Sequence, residues 1–283
     1  MSETLATAPA IAERRSPTVA SAAGLFMGRE LSVALSYKTA FVMNAASVAL
    51  SLVMFHFIAK LVTATAAGAT LPGGYFSFVV VGLATAQILD GAVTQPSSLV
   101  RQEQVQGTLE VLATTPLRPA ALAAGWISYP IAASLVNSLI MLALAGPLGF
   151  RFEDPNWPVG VLALVLSSLA FAGFGILVAA VVLVIQQGAQ LTRWISAGMG
   201  LLSGVFFPIE LFPRWLQLIA QASPLSHAVE ALRGSMLLRR SAADLAPDLI
   251  ALGVMAALLI PLSLLALSAA LARARARGTI SSY

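Results

Sequence analysis

Few side chains in this sequence could carry out chemistry. His56 and His227 are the only histidines, and there is no cysteine. The lack of cysteine excludes disulfide bonds, cysteine-ligated metal centres and thiol catalysis. Two histidines leave little for a histidine-based metal site, and no HExxH or GxSxG sequence supports an intramembrane enzyme. We therefore predict that this chain has no catalytic residues and binds neither metal nor cofactor.

A nucleotide site of the P-loop type is also excluded. That site needs the sequence GxxxxGK[ST], in which a lysine follows a glycine-rich loop. The only lysines are Lys38 and Lys60, and neither lies in such a sequence. The chain cannot hydrolyse ATP by this route, so any ATP-driven work must be transmitted from another protein.

The scarcity of charge predicts the class of protein. Only 10% of the 283 residues are charged and 58% are hydrophobic, whereas soluble domains average about 25% charged residues. A single soluble domain could not hide so much apolar surface. A net charge of +4 does not indicate binding to nucleic acid. We predict an all-α polytopic membrane protein in contact with the lipid bilayer.

The uncharged intervals predict six transmembrane helices within a domain spanning residues 38–275. Because these segments are continuously apolar and do not alternate, helices fit better than a β-barrel. A bilayer needs about 20 apolar residues per helix, and one interval is shorter than this. The predicted spans are 38–61, 75–97, 120–146, 159–184, the short 194–209, and 248–272.

The flanking segments predict the orientation. Residues 1–20 and 276–283 are expected to form cytoplasmic tails. Lys and Arg are moderately enriched on the side that carries both tails, which favours cytoplasmic termini. In residues 21–37, Phe26, Met27 and Leu31 fall on one helical face and Arg29 on another. This is the pattern of a helix that lies in the membrane interface.

Two further segments are neither spans nor simple loops. Residues 98–118 predict a short amphipathic cytoplasmic helix, about 99–115, with Glu103 and Glu110 accessible to water. It could be a solvated connector or a docking element. Residues 205–240 are interrupted by Pro208, Pro213 and Pro224, which predicts two short re-entrant or interfacial helices before the last span.

These segments resemble the membrane subunit of ABC exporters of the type-2 permease group. Residues 101–103 (RQE) and 107–117 (GTLEVLATTPL) are similar to the family pattern RE…GTLExLxxTPL. Residues 203–209 (SGVFFPI), 213–216 (PRWL) and 224–233 (PLSHAVEALR) are similar to its later motifs. The resemblance covers about residues 20–275. The subgroups of the family with similar motifs include drug-resistance permeases and lipo-oligosaccharide permeases.

The resemblance implies a complex in the cytoplasmic (inner) membrane. Two permease copies, expected as a homodimer, would bind two copies of a P-loop ATPase subunit that holds ATP and Mg²⁺. Residues 101–115 would dock into a cleft of the ATPase. The implied coupling residues are Arg101, Glu103, Gly107, Thr108, Glu110, Thr114 and Pro116.

The polar residues near the membrane add further candidates. Asp90 and Gln87 could face the translocation path, although Asp90 could instead lie near the cytoplasmic end in water. Glu230 and Arg233, three residues apart, could pair on one short helix. The expected outer gate comprises Phe206, Phe207, Pro208, Glu210, Pro213, Trp215, Pro224, His227, Glu230 and Arg233.

The leading hypothesis is a permease subunit of an ATP-driven exporter. Its cargo would be amphipathic or hydrophobic, such as a drug, lipid or glycolipid. An ion- or proton-coupled secondary transporter would be expected to carry ionisable residues in several spans, and only Asp90 is a candidate. A membrane scaffold without transport activity is the remaining alternative.

Overall fold

The computed structural model describes residues 18–36, 38–63, 71, 73–106, 118–152, 154–185 and 188–277. Within these ranges the chain is helical and contains no strand. The helices are α1 (Val19–Ser36), α2 (Lys38–Thr63), α3 (Gly74–Val105), α4 (Pro119–Ala145), α5 (Trp157–Val184), α6 (Gly188–Leu202), α7 (Arg214–Gln221), α8 (Pro224–Leu237) and α9 (Ala246–Arg277).

Five of the described helices are long and apolar enough to cross a membrane. They are α2, α3, α4, α5 and α9. This agrees with the predicted all-α polytopic fold. We call the end of the bundle where α3 ends and α4 begins the α3–α4 end. The opposite end, where α4 ends and α5 begins, is the α4–α5 end.

The segment predicted as the fifth of six spans, 194–209, is folded differently from the prediction. Helix α6 has 15 residues and ends at Leu202, so it is shorter than the roughly 20 residues that cross a bilayer. Gly204 follows at φ +75°, a left-handed conformation that glycine adopts readily and that commonly ends helices. A count of six spans therefore stays a prediction.

Helix α3 is longer than the predicted span 75–97. It continues through Pro96 to Val105, although a proline inside a helix removes the hydrogen bond to the carbonyl four residues earlier. That carbonyl belongs to Ala92, and it packs directly against the backbone of Gly175 in α5. Since any side chain at Gly175 would collide with this oxygen, glycine permits the close crossing of α3 and α5.

Helix α5 lies between α3 and α9. Gly173, two residues from Gly175 and so on the opposite face, approaches the backbone of Ile260 in α9, where an added Cβ would lie 2.9 Å from the amide nitrogen. Phe171 is fully buried beside them. Close packing on both faces therefore holds α5 between α3 and α9.

Helix α1 corresponds to the predicted interfacial segment 21–37. Phe26 packs on Gly125 of α4, where a Cβ would lie 2.7 Å from the ring. The hydroxyl of Ser128 donates to the carbonyl oxygen of Ala23 at 3.4 Å. Arg29 is exposed, as expected, and Leu31 is also 48% exposed. The position of α1 in the membrane interface stays a prediction.

The segment 205–240 contains the two short helices expected there, α7 and α8. Pro213 immediately precedes α7, and Pro224 is the first residue of α8. A proline suits the first helical position because its missing N–H would have no partner there. The hydroxyl of Ser223 accepts a hydrogen bond from the amide of Leu225 at 3.3 Å and caps α8.

Candidate functional site

Glu103 lies in the last turn of α3 and is buried, which contradicts its predicted exposure to water. Only 5% of the residue is accessible. Its carboxylate lies beside the indole of Trp126 in α4 and near Arg29 and Glu30 of α1. The difference arises because α3 continues past Pro96 and carries Glu103 into the contact between α1 and α4. Glu103 therefore belongs to the interior of this end.

The neighbours of Glu103 form the exposed surface of the α3–α4 end. Gln102, Gln106 and Arg118 are exposed, and the apolar side chain of Val105 is 64% exposed. Gln104 donates from Nε2 to the carbonyl oxygen of Leu183 at 3.2 Å. This bond ties the end of α3 to the last turn of α5, because the final carbonyls of a helix have no partner within it.

The structure describes two of the seven predicted coupling residues, Arg101 and Glu103. Arg101 is partly buried in the last turn of α3. The remaining residues lie outside the described part of the chain; these are Gly107, Thr108, Glu110, Thr114 and Pro116. The helix predicted over 99–115 begins as a continuation of α3, and its second half stays a prediction.

A line of polar side chains follows one face of α3, and we call it the polar stripe. It consists of Gln87, Asp90, Thr94, Ser98 and Gln102, spaced three or four residues apart, so all five share a helical face. Asp90, Ser98 and Gln102 are exposed. The stripe leads from the middle of α3 to the α3–α4 end.

The polar stripe faces away from α5. Ala92 contacts Gly175 of α5, and Gly91 contacts Ser134 of α4, where an added Cβ would lie 2.7 Å from Cβ of the serine. Each residue turns the helix by about 100°, so Asp90 points to the side opposite Ala92. Gln87 donates to Sδ of Met141 at 3.3 Å. Gln87 and Asp90 thus remain candidates for a translocation path.

Arg233 is the buried cation of the segment before the last span, with 5% accessibility. Its guanidinium donates to three carbonyl oxygens, those of Phe78 at 3.0 Å, Gly204 at 2.8 Å and Val205 at 2.9 Å. The guanidinium carbon also lies 3.4 Å from the ring centre of Phe78, a cation–π contact. One side chain therefore joins α8, α3 and the turn after α6.

The predicted ion pair between Glu230 and Arg233 is wrong. Arg233 points into the protein, whereas Glu230 accepts a hydrogen bond from Arg240 at 3.0 Å. Glu210 and Arg214 are exposed and make no salt bridge with each other. Three buried carbonyls outcompete a surface carboxylate for Arg233, since exposed ion pairs contribute little.

His227 bridges α8 to the start of α9. Its Nδ1 lies 2.8 Å from Oδ1 of Asp248, and its Nε2 lies 2.8 Å from the carbonyl oxygen of Gln221. Both neighbours are acceptors, so only the doubly protonated imidazolium can donate to both. The hydrogen bond to Asp248 raises the pKa of His227, while partial burial opposes the shift.

The aromatic residues of the expected gate do not form one cluster. Phe206 stacks on Phe55 of α2 with ring centres 5.6 Å apart. Phe207 is 48% exposed and Trp215 is 63% exposed. Pro208 precedes a short 3-10 turn over Ile209–Leu211. Their assignment to a gate stays a prediction.

Trp126 and Asp248 are the site residues that sequence reasoning missed. The available signal for Trp126 was the single indole in its span, since a buried indole N–H needs an acceptor. Asp248 marked the start of the last span, four residues beyond an exposed Asp244. Among the described residues, no group of three His, Asp or Glu could hold a metal ion.

Comparison with known proteins places this architecture among membrane transport proteins. A stretch of 172 residues is 26% identical to Nodulation protein J of Sinorhizobium fredii (strain NBRC 101917 / NGR234), covering 58% of this chain and 62% of that protein. A stretch of 160 residues is 22% identical to the inner membrane transport permease YadH of Escherichia coli (strain K12), covering 56% of this chain and 62% of that protein. The matches thus span somewhat less than two thirds of these relatives.

The family assignment rests on a longer match. The ABC-2 type transporter family matches residues 21–237, which include most of α1, the polar stripe and Arg233. The chain belongs to the ABC-2 type transporter family.

Proposed function

We propose that this chain is the permease subunit of an ATP-driven exporter in the inner membrane. Two copies form the pathway, and two copies of a P-loop ATPase supply the work. Both termini lie in the cytoplasm. The cargo is amphipathic or hydrophobic, in the class of drugs, lipids or glycolipids.

The continuity of α3 is the observation that carries the proposal. One helix of 32 residues connects Phe78, which accepts a hydrogen bond from Arg233, to Val105 at the exposed α3–α4 end. A partner that pushes on residues 106–118 would therefore move α3 as a rod, because packed helices shift as rigid bodies.

The division of labour follows from the residues of this chain. The sequence has no P-loop lysine, so ATP and Mg²⁺ would be held by the partner subunit. ATP would act by favouring one of two arrangements of the complex. The exposed Val105 and Gln102 beside the coupling segment would form part of the docking surface.

The polar stripe is the proposed lining of the pathway. An exposed carboxylate such as Asp90 is costly in lipid, so it should face water or a partner. Because the stripe points away from α5, a second copy could enclose it. This assigns Asp90 and Gln87 to the interface between copies.

Export by vesicles that contain this chain and its ATPase would test the proposal. We expect transport to require ATP and to persist after a protonophore collapses the proton gradient. Glu110→Arg should abolish most ATP-driven transport while leaving insertion intact. Asp244→Arg, which reverses an exposed carboxylate at the opposite end, is the matched control. Transport that needs the proton gradient but not ATP would favour a secondary transporter.

A further inference from the structure

An apolar groove runs along the half of the bundle nearest the α4–α5 end. Its walls come from α3, α4, α5 and α8, and its volume is about 600 Å³. Volumes of about 300–1,000 Å³ are typical of sites that hold small molecules. Three of its four walls belong to helices that are long and apolar enough to cross a membrane, so we expect lipid around the groove.

The lining of the groove is almost entirely apolar. Its two hydroxyls both donate to helix carbonyl oxygens, Thr85 to Val81 at 2.8 Å and Ser138 to Ala84 at 2.7 Å. Met236 and aliphatic side chains cover most of the remaining wall. A ligand in this groove would gain affinity chiefly through apolar contact, as a hydrocarbon chain does.

The groove opens sideways between α4 and α5. Its floor is buried, with Ile88 only 2% accessible. Its rim is exposed, with Leu139 of α4 at 66% and Val161 of α5 at 55%. The acyl chain of a lipid could therefore enter from the surrounding bilayer without passing through the protein.

One end of the groove has the character of a membrane–water interface. The rings of Phe150, Phe152 and Trp157 stand in a row, with ring centres 4.9 Å and 5.2 Å apart. Phe152 and Trp157 also line the groove. Tryptophan is enriched at the level of lipid headgroups, so this end should lie where the acyl chain meets its headgroup.

Arg151 supplies a positive charge at this end. It precedes Phe152, is exposed, and makes no salt bridge or hydrogen bond with the residues that the structure describes. The nearby Asp154 is paired with Arg239 and does not compete for it. Glu153 lies outside the described residues. A guanidinium is well suited to a phosphate diester, which it can contact through two N–H groups.

We propose that this groove binds one phospholipid of the bilayer, with an acyl chain between α4 and α5 and the phosphate at Arg151. The site requires only that the protein is embedded in a membrane. It does not depend on the exporter function proposed above. The bound lipid fills a gap that the side chains of α4 and α5 leave open.

Filling the groove should displace the lipid. Ala143 is exposed on α4 and lines the groove, so Ala143→Phe places a ring where the acyl chain of the lipid would lie. Ala257→Phe adds the same ring to an exposed position of α9 outside the groove. The test is native mass spectrometry of the purified full chain titrated with phosphatidylglycerol. We expect Ala143→Phe to weaken binding of the first lipid about tenfold, with Ala257→Phe like the wild type.

The phosphate contact has its own test. Arg151→Gln should weaken binding of phosphatidylglycerol by about threefold to tenfold and leave binding of diacylglycerol with the same chains unchanged. Arg214→Gln removes an exposed arginine outside the groove and should change neither. If Ala143→Phe does not fold, Val161→Phe blocks the opposite wall and should have the same effect.

Three results would overturn the proposal. Equal lipid binding by Ala143→Phe and Ala257→Phe would show that the groove is not occupied. If Arg151→Gln weakened binding of phosphatidylglycerol and of diacylglycerol equally, Arg151 would not contact the phosphate. A dimer that dissociates in Ala143→Phe but not in Ala257→Phe would assign this face to a second copy of the chain.

Discussion

The two ends of the bundle treat a buried charge in different ways. At the α4–α5 end, Arg233 binds three backbone carbonyls from two other segments and fixes their positions. At the α3–α4 end, Glu103 lies among Trp126, Arg29 and Glu30, next to an exposed surface. The hydrogen bonds of Arg233 fix the relative positions of three segments. Glu103 lies at the end where we propose that the ATPase binds. Removing each charge should therefore have different consequences.

Removal of the Arg233 guanidinium should have the largest effect. Arg233→Met keeps most of the volume but leaves the buried carbonyl oxygens of Gly204 and Val205 without their donor, at a cost of about 1–3 kcal/mol per group. We expect a large fall in the thermal midpoint of the purified protein. Arg214→Met, at an exposed site, should change stability by less than about 0.5 kcal/mol. Equal midpoints for the two variants would contradict the bracing role of Arg233.

Charge reversal at the other end should come next. Glu103→Arg places a cation beside Arg29 in a buried site and should destabilise the fold by about 2–4 kcal/mol. Gln102→Arg changes an exposed neighbour and should leave the thermal midpoint nearly unchanged. The same comparison could be made from folded yield in the membrane. If the Glu103→Arg protein were as stable as the wild type, Glu103 would be exposed to water, as the sequence predicted.

A single methyl group should test how tightly the Arg233 site is packed. A Cβ at Gly82 would lie 2.6 Å from Nη2 of Arg233 and 2.9 Å from the carbonyl oxygen of Val205, so Gly82→Ala should cost about 1–3 kcal/mol. Gly253 of α9 has open space around it, and Gly253→Ala should be neutral or stabilising by up to about 1 kcal/mol. Chemical denaturation in detergent would separate the two. Matching stabilities would mean that α3 and α8 are loosely packed.

The smallest effect should be a pH dependence at the junction of α8 and α9. Asp248 raises the pKa of His227, so the folded protein binds this proton more tightly than the unfolded chain does. The stabilisation is fully present below a pH of about 6.5, the ordinary value, and is lost as the pH rises through the raised pKa. We expect less than about 1 kcal/mol, since the pair is partly exposed.

Asp248→Asn provides the control for this dependence. The difference in thermal midpoint between wild type and Asp248→Asn should be largest at acidic pH and should shrink toward alkaline pH. A difference that grows with rising pH would mean that the imidazole is neutral in the folded protein.

Five of the six predicted spans correspond to helices that are long and apolar enough to cross a membrane, because burial in lipid demands such helices. The exceptions have local causes. The second span was predicted to end at residue 97, but α3 continues through Pro96 to Val105, and Gly175 accommodates the carbonyl that the proline leaves free. The fifth predicted span ends early because Gly204 adopts a left-handed conformation. Neither contact between helices is visible in the apolar pattern.

The side-chain partners were harder to predict than the spans. The spacing of Glu230 and Arg233 suggested a local pair, yet the partners of Arg233 lie on segments about 30 and 155 residues away in sequence. The burial of Glu103 likewise depends on α1 folding back against α4. The spacing of residues in the sequence indicates which side chains are neighbours on one helix. The sites of Arg233 and Glu103 are built from several helices, so this spacing does not predict their partners.

Crosslinking would test most directly whether the α3–α4 end receives the ATPase. The sequence has no cysteine, so a single cysteine reports on one position. Val105 and Leu211 are similarly exposed, at 64% and 72%, but lie at opposite ends of the bundle. In a complex with the P-loop ATPase, we predict that Val105→Cys crosslinks to the ATPase and Leu211→Cys does not. An intact complex in which Val105→Cys fails to crosslink, or does so no better than Leu211→Cys, would contradict the account.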